Sequence, residues 1–257
     1  MPSNLPIELG VAAGLLLGLA GAQELGYRLA QRGSKSEKNA ERGGGQIGAI
    51  QGALLGLLGL LLGFSFAGAA SRFIERQDLI VQEANAIGTA YLRADLLDEP
   101  HAARMRQVLE QYVRHRVEVS KTLAEGPRPE VEAQVARFHT QLWAAARDGV
   151  LAKPAMTMAV LNPVNDVIDF HSTRVGASHK HLPALVLGLL IVCSLLAMAV
   201  IGYGCGLAGR RSMLMTVSLA ALIAAALWTT IDLDYPRSGL IQLSDEPLAQ
   251  LKLGSTP

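Results

Sequence analysis

The chain has 257 residues, half of them apolar, with charged residues at 18% and a net charge of +1. So balanced a charge excludes a nucleic-acid binder, which needs a concentrated basic field, and the apolar content excludes a disordered chain. The two cysteines, Cys193 and Cys205, share one apolar run. They exclude a disulfide scaffold and a four-cysteine zinc site.

The apolar residues are clustered. Residues 47–70, 182–208 and 212–231 carry no charged side chain, over 24, 27 and 20 positions. A membrane helix needs about 20 such residues, so each run predicts a span. A shorter run, residues 9–23, lies between Glu8 and Glu24. A signal peptide has positive charge ahead of its apolar stretch, whereas residues 1–8 hold one Glu and no Lys or Arg. This run predicts a first span over residues 5–31. Gly10, Gly14 and Gly18 recur there every four residues, the spacing that lets helices pack closely in lipid.

A polar loop, residues 33–45, separates the first span from the second, which covers residues 46–71. No Pro or turn cluster ends the second helix at the membrane edge. Ile80, Ala84, Ile87 and Tyr91 continue it at helical spacing to about residue 98, just before Pro100. Residues 72–181 form the extramembrane bundle, and residues 100–181 are soluble in composition. Gly126-Pro-Arg-Pro129 and Lys153-Pro154 break them into helices from Pro100 to Glu125, Pro129 to Ala152 and Pro154 to His179, with a kink at Pro163. The third and fourth spans are residues 182–208 and 212–231. The tail, residues 232–257, is polar and punctuated by Pro, and reads as an ordered surface segment. No stretch alternates with period two. The fold class is an all-α integral membrane protein, with four transmembrane helices and an extramembrane helical bundle between the second and third.

There is no phosphate-binding loop, dinucleotide fingerprint or nucleophile elbow. His171, His179 and His181 gather near Asp166 and Asp169, but the spacings of five and two place no pair of ligands on one helical face. They read as interfacial histidines. Asp95, Asp98 and Glu99 read as a solvated helix end. The centres of the spans hold no ionisable residue, which argues against a proton-driven stator or pump. No catalytic residue, metal or cofactor is expected, nor an enzyme. On the second helix Gly48, Gly52, Gly56, Leu60, Phe64, Gly68 and Arg72 recur every four residues, with Gly59, Gly63, Ala67 and Ser71 alongside. Two readings fit. One is a packing seam, Gly48 and Gly52 against the glycines of the first helix. The other is a pore face that is small, then bulky, then small and polar.

Gly63-Phe64, followed after seven residues by Arg72-Phe73-Ile74-Glu75 and after nine more by Asn85, resembles the second-helix signature of bacterial bestrophins. The wider stretch, residues 47–98, and the tail motif Asp-Leu-Asp-Tyr-Pro-Arg-Ser-Gly resemble the bacterial bestrophin-like domain family more closely still. Bestrophins are pentameric anion channels whose second helix lines the pore and narrows it with bulky apolar residues. By position Phe64 matches the neck aromatic, with Leu60 and Gly56 one and two turns earlier and Gly68, Ser71 and Arg72 beyond. The sequence departs from the pattern at Gly56, where a bulky residue is usual, and at Ser65, where many have Arg. Asp232 and Asp234 fall short of a calcium clasp.

The resemblance implies a homo-oligomer, a pentamer, that conducts inorganic ions, chiefly anions, across a bacterial inner membrane. Its partners are further copies of itself, lipid and the ions. Both termini share the side of the bundle. The positive-inside rule favours the loop side as cytoplasmic and the resemblance favours the bundle side, so orientation stays open. The alternative function is a membrane-anchored helical sensor or scaffold without conduction.

Overall fold

The computed structural model describes residues 5–33, 37–122, 129–209, 212–237 and 239–254, and no strand occurs among them. The helices are α1 (Leu5–Gly33), α2 (Glu37–Arg93), α3 (His101–Thr122), α4 (Pro129–Ala152), α5 (Thr157–Ser178), α6 (Ala184–Leu207), α7 (Met213–Asp234) and the short α8 (Glu246–Ala249). Four of them, α1, α2, α6 and α7, are long and apolar enough to cross a membrane. The chain is a multi-pass membrane protein. Its helices form two compact units, with the boundary in α2 at Ser71 and Arg72.

The first unit holds the residues up to Ser71 together with His181–Leu240. Its core is Leu19 of α1, Leu58 of α2, Leu190, Ala197 and Met198 of α6, and Ala220, Ile223 and Leu227 of α7. Helices in lipid gain little from apolar contact alone, because the tails are as apolar as Leu; close approach by small residues supplies the packing. Here Gly26, Gly202 and Gly206 make that approach between α1 and α6. A Cβ at Gly26 would overlap the Ala199 carbonyl, one at Gly202 the Gln23 carbonyl, and one at Gly206 the Tyr27 carbonyl. Among the described residues no helix closes on Gly10, Gly14, Gly18, Gly48 or Gly52. A Cβ at Gly10, Gly14, Gly48 or Gly52 would meet nothing within 4 Å, and at Gly18 only Leu195, at 3.9 Å. Polar ties are few and internally satisfied, as lipid demands. Gln51 Nε2 donates to the Val200 carbonyl (3.0 Å), and Trp228 Nε1 donates to Glu8 (3.1 Å).

The second unit holds Arg72–Lys180 and residues 241–254. Ile80, Ala84 and Ile87 of α2 pack with Met105, Leu109 and Tyr112 of α3, Leu142 of α4, and Val160, Val164 and Val167 of α5. α2 is a single helix of 57 residues that starts earlier than the sequence suggests and ends in a 3-10 turn at Ala94–Leu96. α5 runs through Pro163, which is buried. Arg76, also buried, donates to the carbonyls of Ala177 (3.2 Å) and Lys180 (2.6 Å), fastening α2 to the end of α5. The tail is more than surface. Leu248 is fully buried in this core, and Leu243, Leu251 and Leu253 pack against it. Gln77 fixes the tail's path by pairing its amide with both the N–H and the carbonyl of Ser244, each at 2.9 Å.

The glycine geometry separates two classes of substitution. Gly26→Ala and Gly202→Ala force backbone apart and should each cost about 1–3 kcal/mol. Gly10→Ala and Gly48→Ala enter open space and should stay within about 0.5 kcal/mol of wild type. Unfolding of the four variants in detergent measures the difference.

Candidate functional site

α2 has two faces in the first unit. Leu58, Ser65 and Ala69 are buried, and Leu54, Leu55, Leu61 and Leu62 lean on the core. On the other side Leu60 is 56% exposed and Phe64 70%. Gly56 and Ser71 are exposed with them, while Gly68 and Arg72 are half-buried. The helical repeat accounts for this split. Leu60 and Ser71 fall within about 40° of Phe64 around the helix, and Arg72 about 80° away. The six predicted residues thus form an outward stripe of four with two at its margin. A Cβ at Gly56, Gly59 or Gly63 would meet nothing within 4 Å. Farther along α2, Asp78 lies on the same stripe by spacing. It is exposed, and no hydrogen bond or ion pair holds it among the described residues.

Several of the acidic and histidine groups noticed in the sequence have local partners. Asp95 pairs with Arg106, and Asp98 with Lys153 (3.1 Å). Glu99 accepts the Ala103 N–H (3.0 Å) at the start of α3. Asp166 and Asp169 are exposed. His181 stacks on Tyr235, with ring centroids 4.4 Å apart. Among the described residues no three His, Cys, Asp or Glu side chains converge as metal ligands do. Asp232 and Asp234 are buried and turned to backbone. Asp232 accepts the Leu240 N–H (2.9 Å), and Asp234 accepts the Leu182 N–H (2.8 Å).

The bestrophin-like domain family matches residues 18–248, most of the chain. The chain belongs to that family. No curated protein and no solved structure matches it. The match spans the α2 stripe, the whole bundle and the tail motif.

The bundle of this bestrophin-like chain also contains a site that the sequence did not reveal. Glu83 of α2 is completely buried. Tyr112 of α3 donates to it (2.5 Å), and Arg116 of α3 and Arg174 of α5 pair with it at 3.3 and 3.0 Å. His171 of α5 sits beside this group and contacts Glu132 of α4 at 3.2 Å. His139 of α4 stands edge-on to His171, with ring centroids 5.1 Å apart. Burial pushes the Tyr112 hydroxyl well above its usual range, and the Glu83 charge adds to the shift. Burial, and the neighbouring His171, hold His139 down at about 4. Burial and the Arg174 charge lower His171. One signal was legible: Glu83 interrupts the buried stripe of Ile80, Ala84 and Ile87, and a carboxylate there requires partners.

Breaking a buried pair strands the opposite charge. Glu83→Gln leaves Arg116 and Arg174 without their carboxylate and should cost about 3–5 kcal/mol. Asp95→Asn removes an exposed pair and should cost about 1 kcal/mol or less. Chemical unfolding of both variants tests the contrast.

Proposed function

We propose that the chain is the subunit of a homo-oligomeric ion channel of the bacterial inner membrane, with α2 lining the pore. Leu60 and Phe64 form its apolar neck. Five copies and anion conduction are what the family resemblance implies. The observation that carries this reading is the outward face of α2: two bulky side chains, 56% and 70% exposed, on a helix segment where a Cβ at Gly48, Gly52, Gly56, Gly59 or Gly63 would meet no described atom within 4 Å. Glycine gives a lipid-facing surface no packing. A backbone bared by Gly48, Gly52 and Gly56 suits close approach by another helix. In a ring of such helices Leu60 and Phe64 close the axis, because water and ions leave a narrow apolar constriction. Gly56 and Gly68 widen the path on either side, and Ser71 and Arg72 follow.

Flux through purified protein in liposomes tests the reading. Leu60→Ala with Phe64→Ala should raise ion flux several-fold. If the face is a packing seam, the same changes leave cavities costing about 2–5 kcal/mol each, the oligomer weakens and flux does not rise. A stable, assembled double variant with unchanged flux removes both residues from the gate. A membrane-anchored sensor or scaffold would pass no ions in either form, and native mass measurement showing monomer alone would end the oligomeric reading.

Selectivity has its own test. A ring of Asp78 carboxylates on the α2 stripe would repel anions. Asp78→Asn should therefore raise chloride permeability relative to potassium, read as a shift in reversal potential.

A further inference from the structure

Beside buried Glu83 stands His171, an imidazole, the side-chain type whose ordinary titration lies nearest neutrality. Its Nε2 lies 3.2 Å from Glu132 Oε2 on α4. Its Nδ1 lies 3.4 Å from Arg174 Nη2 and 4.0 Å from Glu83 Oε1. An arginine only donates. Nδ1 therefore accepts from Arg174, and the ring proton sits on Nε2, donating to Glu132. The neutral ring so placed ties α4 to α5 beside the carboxylate of α2. The charged and titratable groups around it are Glu83 on α2, Tyr112 and Arg116 on α3, Glu132 and His139 on α4, and Arg174 on its own helix.

We propose that His171 is a proton-operated latch: neutral, it holds α4 and α5 together against Glu83, and protonated, it releases them. A proton can enter only at Nδ1, the nitrogen that Arg174 now addresses. Once there, N–H faces N–H, and His171 becomes a third positive group around one carboxylate, with Arg116 and Arg174. Arg174 repels the new N–H, and the ring turns to carry it toward the Glu83 carboxylate; that turn takes Nε2 away from Glu132 and undoes the α4–α5 contact. Burial and the Arg174 charge oppose protonation, so the release lies on the acid side of the ordinary histidine range. Glu132 pulls the other way. The sign follows from linkage: the neutral form is favoured in the folded bundle, so the contact is complete above about pH 6.5 and is lost as pH falls below it. The latch does not depend on ion conduction.

Hydrogen exchange of the full chain in nanodiscs tests it, with rates corrected for intrinsic exchange and measured in steps from about pH 7.5 to about pH 5. Exchange in peptides of α4 and α5 should rise several-fold relative to those of α6 and α7 as pH falls. His171→Gln keeps a neutral donor for Glu132 and an acceptor for Arg174. In that variant the step should vanish, with exchange staying at its neutral-pH level. Glu132→Gln, at a half-exposed position, removes the acid that attracts the proton and should move the step to lower pH. His139→Gln should leave the step in place. A step that persists in His171→Gln, or no step in wild type, overturns the proposal. So does a step that Glu132→Gln leaves unmoved or moves upward, a result that stands even if His171→Gln fails to fold.

Discussion

Backbone in lipid has no water to bond, and α2 is built on that constraint. The segment from Gly45 to Gly68 holds seven glycines. In water each would cost a helix about 1 kcal/mol relative to alanine. In a bilayer the comparison changes, because an open N–H or carbonyl costs several kcal/mol, so the helix is the only form the segment can take. Glycine can then serve other ends. On α1 and α6 that end is visible, since Gly26, Gly202 and Gly206 bring two backbones together. On α2 the glycines from Gly45 to Gly63 stand where a Cβ would meet no described residue within 4 Å. That asymmetry, more than the bulk of Leu60 and Phe64, makes a pore or subunit face a better account of the stripe than contact with lipid.

In the second unit the hydrophobic effect makes helix packing easy and unspecific. Ile80, Ile87, Leu109, Leu142 and Val164 would accept several alignments of their helices. Glu83 would not. Its carboxylate has one tyrosine and two arginines in reach, drawn from one turn of α3 and one turn of α5. A leucine would fill the same volume at less cost in desolvation, and such exchanges are often neutral or stabilising. What leucine lacks is a reason to prefer Tyr112, Arg116 and Arg174. Glu83 therefore sets the register of the bundle, and by being buried it also makes the group sensitive to any added charge.

Much of the fold was legible because its causes are local. Charge-free runs mark α1, α2, α6 and α7. The Pro and Gly breaks after Asp98, near Gly126 and at Lys153-Pro154 divide the bundle close to where its helices divide. The long-range features were not legible. Residues 241–254 read as surface because their leucines are scattered, yet Leu248 fills a gap that only the assembled α2 and α3 create. The small-xxx-small pattern was read on Gly10, Gly14 and Gly18, while the same spacing in Gly202 and Gly206, and in Gly26 and Ala30, marks the real contact. Spacing alone ranks these equally; which backbone lies opposite decides between them. The stripe of Gly56, Leu60, Phe64 and Ser71 was visible in sequence, because one helix face needs no knowledge of partners.

The motif that begins at Asp232 shows how a resemblance and a local force can point to different chemistry. Acids after the last membrane helix suggest a cation. Asp232 and Asp234, however, sit in the final turn of α7, where the helix dipole presents its negative end and another negative charge is unfavourable. Each needs donors, and each has found backbone ones: the Leu240 N–H for Asp232 and the Leu182 N–H for Asp234. The second bond fastens the end of α7 to the approach to α6. The first draws the chain back past Gly239, where any Cβ would overlap the Asp232 carboxylate. A bound cation would have to take these oxygens from the N–H groups that now offset the dipole, and the turn they hold would open. Two carboxylates at a helix C-terminus thus act here as turn-forming acceptors, and the glycine that ends the motif is required by the first of them.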